Sequence, residues 1–366
     1  SQKIFIITTM KRIIWLIMTM IPLATMAQRQ VTDAEVEALH DRIISIDTHN
    51  DFSLGYCFPN GNYSTAKGQV SFDKMIEGRL DCAVFAAYID QGTCDEAGHA
   101  WARNRAETMI AGLKRYAAEN EDKAEVVYSS ADIERVKASG KRAMMISIEN
   151  CYCFGTDTTA VEHFYNLGVR MATLTHNGAN EIADTCVDQG KKGGVTEFGR
   201  KVIAEMNRVG MVVDVSHASR LATLQAVELS ATPIIASHSG AYAVKAIRRN
   251  LSDKEIQAIA AKGGVVQVSI VRSFISNKPK GEESLADLVA HVNHIVKLVG
   301  VDHVGFGSDF DGGGGMNGCR NMSQMKNVTR ALMEAGYSDE DIAKMWGGNT
   351  MRVFKAVEEY AAAQRK

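Results

Sequence analysis

The chain predicts an α/β protein of the (β/α)8 TIM-type barrel class, with inserted helices and a helical C-terminal extension. Three observations predict it. Eight short apolar runs alternate with longer segments of helical periodicity. The runs are continuous rather than alternating, as strands covered on both faces of a parallel sheet must be. Six of them end in a His, Asp or Glu. That places ligand-type side chains at the C-terminal ends of the strands, the face on which such barrels hold their chemistry.

Taken in order, residues 43–48 lead to His49 and Asp51, and 82–88 form the second run. Residues 143–148 deliver Glu149, and 171–175 deliver His176. Residues 212–216 lead to His217 and 233–237 to His238. Runs 265–270 and 303–308 complete the set, the last delivering Asp309. Helical patterns at 32–42, 100–120, 157–167, 196–209, 218–230, 253–261 and 284–299 fall outside and between the runs. Thr32 is placed to cap the first of these. Residues 90–141 hold two helical patterns and elaborate the barrel rather than forming a second domain. Residues 323–363 read as the helical extension, packed outside the barrel.

Bulk properties bound the function. With 46% hydrophobic and 23% charged residues, the 366-residue chain has the composition of a globular protein with a large core. A net charge of −2 and the lack of any basic cluster give no electrostatic case for nucleic acid. Met10-Lys11-Arg12, an apolar stretch from 13 to 23 and the small residues up to Ala27 form a signal peptide pattern. The expected division is a signal peptide over 1–27, with Met10 as the true start, and a single barrel domain over 28–366. The apolar stretch is short for a bilayer span, so no membrane span is expected after cleavage. The expected location is exported, periplasmic or secreted. Export would permit disulfides among the seven cysteines, and Cys94 with Cys186, just beyond two strand ends, is the first candidate pair. Cys151 and Cys153 read as loop thiols, and no CxxC pair marks a structural zinc site.

The chemistry lies at the strand ends. In extended backbone, positions two apart face the same side, so His49 and Asp51 can reach one ion. His217 and His238 each follow a Ser at the end of an apolar run. Three imidazoles with the carboxylates of Asp51 and Glu149 suit two zinc-like ions with one carboxylate shared. The glycines at 312–315 follow Asp309 without the Lys-Ser/Thr of a phosphate loop, and their spacing fails the calcium-loop pattern. Asp309, facing the metals, is better suited to moving a proton. Arg248-Arg249-Asn250 lies in a loop over the same mouth, where an Arg can grip a carboxylate at two points. His291 and His294, three apart on an outer helix, are not expected to bind metal.

These segments resemble the renal or membrane dipeptidase family of metal-dependent amidohydrolases. The stretches that carry the resemblance are Asp47-Thr48-His49-Asn50-Asp51, Leu174-Thr175-His176-Asn177, Val213-Asp214-Val215-Ser216-His217, the run 233–239 around His238, Arg248-Arg249-Asn250, and the run 305–312 around Asp309. The resemblance implies an exported dipeptidase with two Zn2+, bridged by Glu149 and a hydroxide. It implies that His49 and Asp51 bind the first ion and His217 and His238 the second. It further implies that His176 sits over the scissile carbonyl, that Arg249 and Asn250 belong to the substrate-binding set, and that Asp309 moves the proton. Small dipeptide substrates, tolerance of a D-residue at the C-terminal position and a homodimer are implied as well. One departure is Asn150-Cys151 after Glu149, where the family usually has Gly-Gly. The alternative is deacylation of N-acyl-D-amino acids, or another amidohydrolase reaction, on the same scaffold.

Overall fold

Parallel pairing throughout the sheet turns the strand ends toward a common face. The computed structural model describes residues 30–58, 63–188 and 190–365; the expected signal peptide over 1–27 lies outside them. The strands are β1 (Ile46–Asn50), β2 (Cys82–Tyr88), β3 (Ala124–Val126), β4 (Arg142–Glu149), β5 (Val169–Thr173), β6 (Val212–Asp214), β7 (Ile235–Ser239), β8 (Val265–Ser269) and β9 (Val304–Gly307). Eight follow one another as β1-β2-β4-β5-β6-β7-β8-β9. The ring closes where Asp51 N–H donates to Phe310 at 2.8 Å and Asp309 N–H to His49 at 3.0 Å. All eight expected runs are strands of this barrel. The ninth, β3, was not expected from sequence: it pairs with Arg142–Met144 of β4, ahead of the residues that pair with β5.

Helices cover the outside, and their ends are set by side chains. Thr32 and Glu35 form a capping box at the start of Asp33–Arg42. Asp95 caps Glu96–Ala118, and Ser284 with Asp287 opens Leu285–Val299. The C-terminal extension is helical as expected, but its last helix, Asn349–Gln364, does more than lie alongside. Val353, Phe354 and Val357 join Ile46, Cys82, Ala143, Met171, Val212, Ile235 and Val265 in one buried cluster, so this helix packs beneath the strand starts. The barrel interior is filled at close range. A Cβ on Gly307 would stand 1.8 Å from the carbonyl oxygen of Ser237.

Two pairs of residues singled out in the sequence stand apart here. No disulfide joins Cys94, which is exposed, to Cys186, which is buried. His291 and His294 do not converge: His294 contacts Asp253 at 2.7 Å, while His291 accepts from Ala241 N–H at 2.9 Å and donates to the Ile275 carbonyl at 3.0 Å. No helix among the described residues is long and apolar enough to cross a membrane.

Burial holds His40 and His291 down at about 4. Each ring is neutral in the fold: His40 bridges the Arg79 carbonyl and the Thr329 hydroxyl that also accepts from Trp346. The same imidazoles titrate near 6.5 once unfolded. Stability is therefore fully present above about pH 6.5 and is lost as pH falls from there toward about 4, by at most about 3 kcal/mol per ring. Urea midpoints followed from about pH 7 to about pH 4 should fall less steeply in His40→Asn and His291→Asn than in the wild type. Parallel slopes in all three proteins would reject this account.

Candidate metal centre

The barrel register delivers the ligand-type residues to one point. β1 ends at His49 and Asp51, β4 at Glu149, β6 leads to His217, β7 carries His238, and β9 leads to Asp309. None of these six is more than 8% exposed. Glu149 lies at their centre. Its Oε1 stands 3.1 Å from His217 Nε2 and 3.3 Å from His238 Nε2, and its Oε2 stands 3.5 Å from His49 Nε2. His49 Nε2 is also 3.6 Å from Asp51 Oδ2. The two carboxylate oxygens thus face different sets of donors. Asp309 gathers with His49 and Asp51 in a group whose ligand atoms all lie within 4.8 Å of one another.

The donor set fits metal ions on its own geometry. The Nε2 atoms of His217 and His238 are 3.0 Å apart. Asn177 Oδ1 lies 3.1 Å from His217 Nδ1, so it accepts that N–H and leaves Nε2 as a bare lone pair. At His238, Ser237 Oγ lies 2.8 Å from Nδ1 and donates in turn to Asp214 Oδ2 at 2.5 Å. Ser237 can then only accept from His238, which again leaves Nε2 bare. Burial and the Arg249 cation hold both rings well below the ordinary imidazole range, so both are neutral. Two lone pairs at this distance repel unless a cation lies between them. Spacings of 3.0 to 3.3 Å among Nε2, Nε2 and Oε1 are close to the ~3.4 Å that ligands about 2.1 Å from one tetrahedral ion would show. Among the described residues, His49 Nδ1, His49 Nε2 and Asp51 Oδ1 are buried without a hydrogen-bond partner, as fits atoms that serve as metal donors. Charge points the same way. Asp51, Glu149 and Asp309 bring three carboxylates into a buried site, and burial with the neighbouring Asp51 pushes Asp309 well above the carboxylate range.

A family model for the membrane dipeptidases, peptidase family M19, matches residues 33–366. The chain belongs to that family. Dipeptidase tcpJ of Claviceps purpurea is 32% identical over 305 residues, covering 81% of this chain and 71% of its own. Dipeptidase aclJ of Aspergillus oryzae is 31% identical over 342 residues, covering 89% and 81%. Among solved structures, the probable dipeptidase PvdM of Pseudomonas aeruginosa superposes with a TM-score of 0.84 at 29% identity, covering 90% of this chain and 98% of that one. A Rhodobacter sphaeroides metallo peptidase, liganded with a phosphinate mimic of L-Ala-D-Ala, shares the fold at 24% identity and a TM-score of 0.77, covering 86% of this chain and 99% of that one.

In this M19 metallopeptidase a cavity of about 240 Å³ opens over the carboxylates, lined in part by Leu54, Tyr88, His176, Asn177, Phe274 and Gly312. His176 Nε2 reaches to 4.0 Å from Glu149 Oε1, and Tyr88 packs edge-on against its ring at 4.7 Å. Arg249 is nearly buried, donates to Ser239 Oγ at 3.1 Å and stacks over Phe274 at 5.4 Å. Its Nε and Nη2 have no partner among the described residues. Asn250 lies beside it but gives its amide N–H groups to the carbonyls of Lys245 and Phe274. Its side chain holds the loop that carries Arg249.

Several residues of the site escaped the sequence reasoning. Asp214 accepts from Thr173, Ser216 and Ser237, and Asp47 accepts from the Ser308 hydroxyl and amide at 2.6 Å. The available signal was an acid inside an apolar run, which needs buried partners. Asn150 explains the departure from Gly-Gly. Its φ is 79°, a conformation glycine adopts freely and Asn tolerates better than most L-residues. Its side chain then accepts from Tyr152 N–H and donates to the Ile89 carbonyl.

A Cβ at Gly312 would fall 1.8 Å from Asp51 Oδ2 and 2.6 Å from Asp309 Oδ1. Gly312→Ala should therefore displace a ligand carboxylate, losing bound metal and about 100-fold or more in kcat/KM with little change in Tm. Wild-type metal content by mass spectrometry together with wild-type kcat/KM would show that the loop accommodates the methyl group.

Proposed function

We propose that this M19 dipeptidase is an exported, binuclear zinc enzyme that hydrolyses free dipeptides and accepts a D-residue at the C-terminal position. The observation that carries the choice of a short substrate with a free terminal carboxylate is Arg249, and family membership makes that substrate a dipeptide. The Nε–Nη2 edge of its guanidinium, the edge that matches a carboxylate at two points, is buried and without a partner among the described residues, beside the metal donors. A carboxylate fixed there limits how much substrate can lie between Arg249 and the carbonyl to be cleaved, and the 240 Å³ cavity leaves room for little more than two small residues. Longer peptides carry no carboxylate at that distance.

His49 and Asp51 would hold one ion, His217 and His238 the other, with Glu149 shared between them. Bound there, two zinc ions would supply a Lewis acid for the carbonyl and an acidified water at neutral pH. The remaining work belongs to the chain. His176 is held below the ordinary imidazole range by burial, so its neutral ring can donate a hydrogen bond to the carbonyl oxygen as negative charge develops there. Asp309 lies against Asp51 at the floor of the cavity, where it can take a proton from the attacking water and return it to the departing amine. Arg249 binds and orients the terminal carboxylate, and its guanidinium rests on the Phe274 ring. The Rhodobacter sphaeroides enzyme of the same fold takes an L-Ala-D-Ala mimic; D-tolerance, export and a homodimer are proposed for this chain from its family resemblance.

Asp309→Asn should retain its metal and lose about 100-fold or more in kcat; turnover at the wild-type rate would remove Asp309 from proton transfer. Arg249→Met should raise KM by about tenfold or more at unchanged metal content, as expected for the loss of a charge-assisted two-point contact. The deciding comparison is L-Ala-L-Ala, L-Ala-D-Ala and N-acetyl-D-Ala, with chelator and with zinc returned. Chelator-sensitive cleavage of the first two supports the proposal. Cleavage of the acylated compound alone would establish a deacylase, which would use the same Arg249 grip.

A further inference from the structure

A second cavity, of about 550 Å³, borders the first at the barrel mouth. The two meet along consecutive residues: Phe274 and Gly312 line the inner cavity, Ser273 and Gly313 the outer. The outer one is built from the loops after β8 and β9 and carries three cations, Arg272, Lys280 and Arg320. Its single lining acid, Glu283, is buried and accepts from Gly281 N–H at 2.6 Å. Arg272 donates to the Lys278 carbonyl at 3.2 Å and Arg320 to Asn317 Oδ1 at 2.7 Å. Neither they nor Lys280 stands within 4.0 Å of a carboxylate among the described residues, although Lys278 of the same loop pairs with Asp287 at 2.9 Å. Glu283 feels the charge of Arg272 and sets one negative charge against the three cations, which still leaves the recess with a net positive potential that favours an anion.

We infer that this recess is a subsite for an anionic side chain, and that the enzyme prefers dipeptides with an acidic residue on the amino side of the scissile bond. The inference rests on the dipeptidase proposal. Arg249 anchors the terminal carboxylate next to β7, since it bonds Ser239 at the end of that strand. Gly312 lies after β9, two strands round the ring from β7, and against Asp51 just past β1, with Gly313 next to it in the chain. A dipeptide stretched from Arg249 across the metal donors brings its amino-side residue toward that glycine edge. The edge has no side chains to block passage into the outer recess. A carboxylate arriving there meets Arg272, Lys280 and Arg320, whereas a lysine side chain meets like charge.

The test compares kcat/KM for L-Glu-L-Ala, L-Gln-L-Ala, L-Lys-L-Ala and L-Ala-L-Glu on the zinc-loaded enzyme. The wild type should favour L-Glu-L-Ala over L-Gln-L-Ala by about five- to tenfold, with L-Lys-L-Ala poorest and the preference shrinking in high salt. In the Lys280→Gln/Arg320→Gln double variant the Glu-to-Gln ratio should fall toward one while metal content is retained. Equal rates for Glu and Gln in the wild type overturn the inference. So does a preference that survives the double variant, or one confined to L-Ala-L-Glu. If L-Ala-L-Ala is also not cleaved, the dipeptidase proposal fails and this subsite assignment with it.

Discussion

Burial of Glu149 is the constraint on which the rest of the structure depends. A carboxylate taken out of water is costly unless cations and hydrogen-bond donors surround it. Among the described residues no Lys or Arg comes within 4.0 Å of it; imidazoles do, three of them within 3.5 Å across its two oxygens. His217 and His238 are neutral; His49, despite its burial, is drawn above the ordinary imidazole range by Glu149 and Asp51, so one charged ring faces the three carboxylates of Glu149, Asp51 and Asp309. Cations held among these donors would offset the carboxylate charge that remains, so the packing favours metal binding as family membership does. The fold serves that end. Parallel pairing puts the ends of β1, β4, β7 and β9 on one face, and no single segment of chain has to supply more than two ligands.

A site assembled from separate strands must keep each donor aimed without help from sequence neighbours. Two buried acids do this from within the strands. Asp214 on β6 ties β5, through Thr173, to the Ser237–His238 corner of β7. Asp47 on β1 takes both polar groups of Ser308, just ahead of Asp309. Each acid thus links adjacent strand ends and fixes a donor at the same time. Burial pushes Asp47 up to about 6, the cost of placing a charged anchor there.

What could be read in the sequence follows from this division of labour. The ligands were legible because each stands where an apolar run stops, and eight such runs left few alternatives to a barrel. The extension's helices were legible too, but the seating of Phe354 and Val357 beneath the strand starts depends on tertiary packing that periodicity does not encode. β3 was missed because Ala-Glu-Val is too short to show a period, and its strand state comes from the free edge of β4. Pairing Cys94 with Cys186 treated nearness to strand ends as nearness in space; one thiol is exposed and the other buried. Asn177 lay inside a stretch that was singled out, yet nothing local says that its carbonyl would meet a histidine forty residues on.

Backbone strain, already met at Asn150 beside Glu149, also marks two residues of the site itself. His217 and Asp309 have φ of 66° and 59°, in the left-handed region that costs an ordinary L-residue about 1–2 kcal/mol. Glycine would relieve the strain and remove the side chain the site uses. The chain instead holds the conformation with hydrogen bonds on either side. Cys186 N–H donates to the His217 carbonyl at 2.7 Å, and Asp309 gives its N–H to His49 while its carbonyl accepts from Gly314 at 2.6 Å. Sharp left-handed turns let a residue just past its strand point back over the barrel axis rather than outward with the loop. The same turn after β9 brings the glycine run against Asp51, so the strain that aims Asp309 also shapes the wall between the inner cavity and the cationic recess beside it.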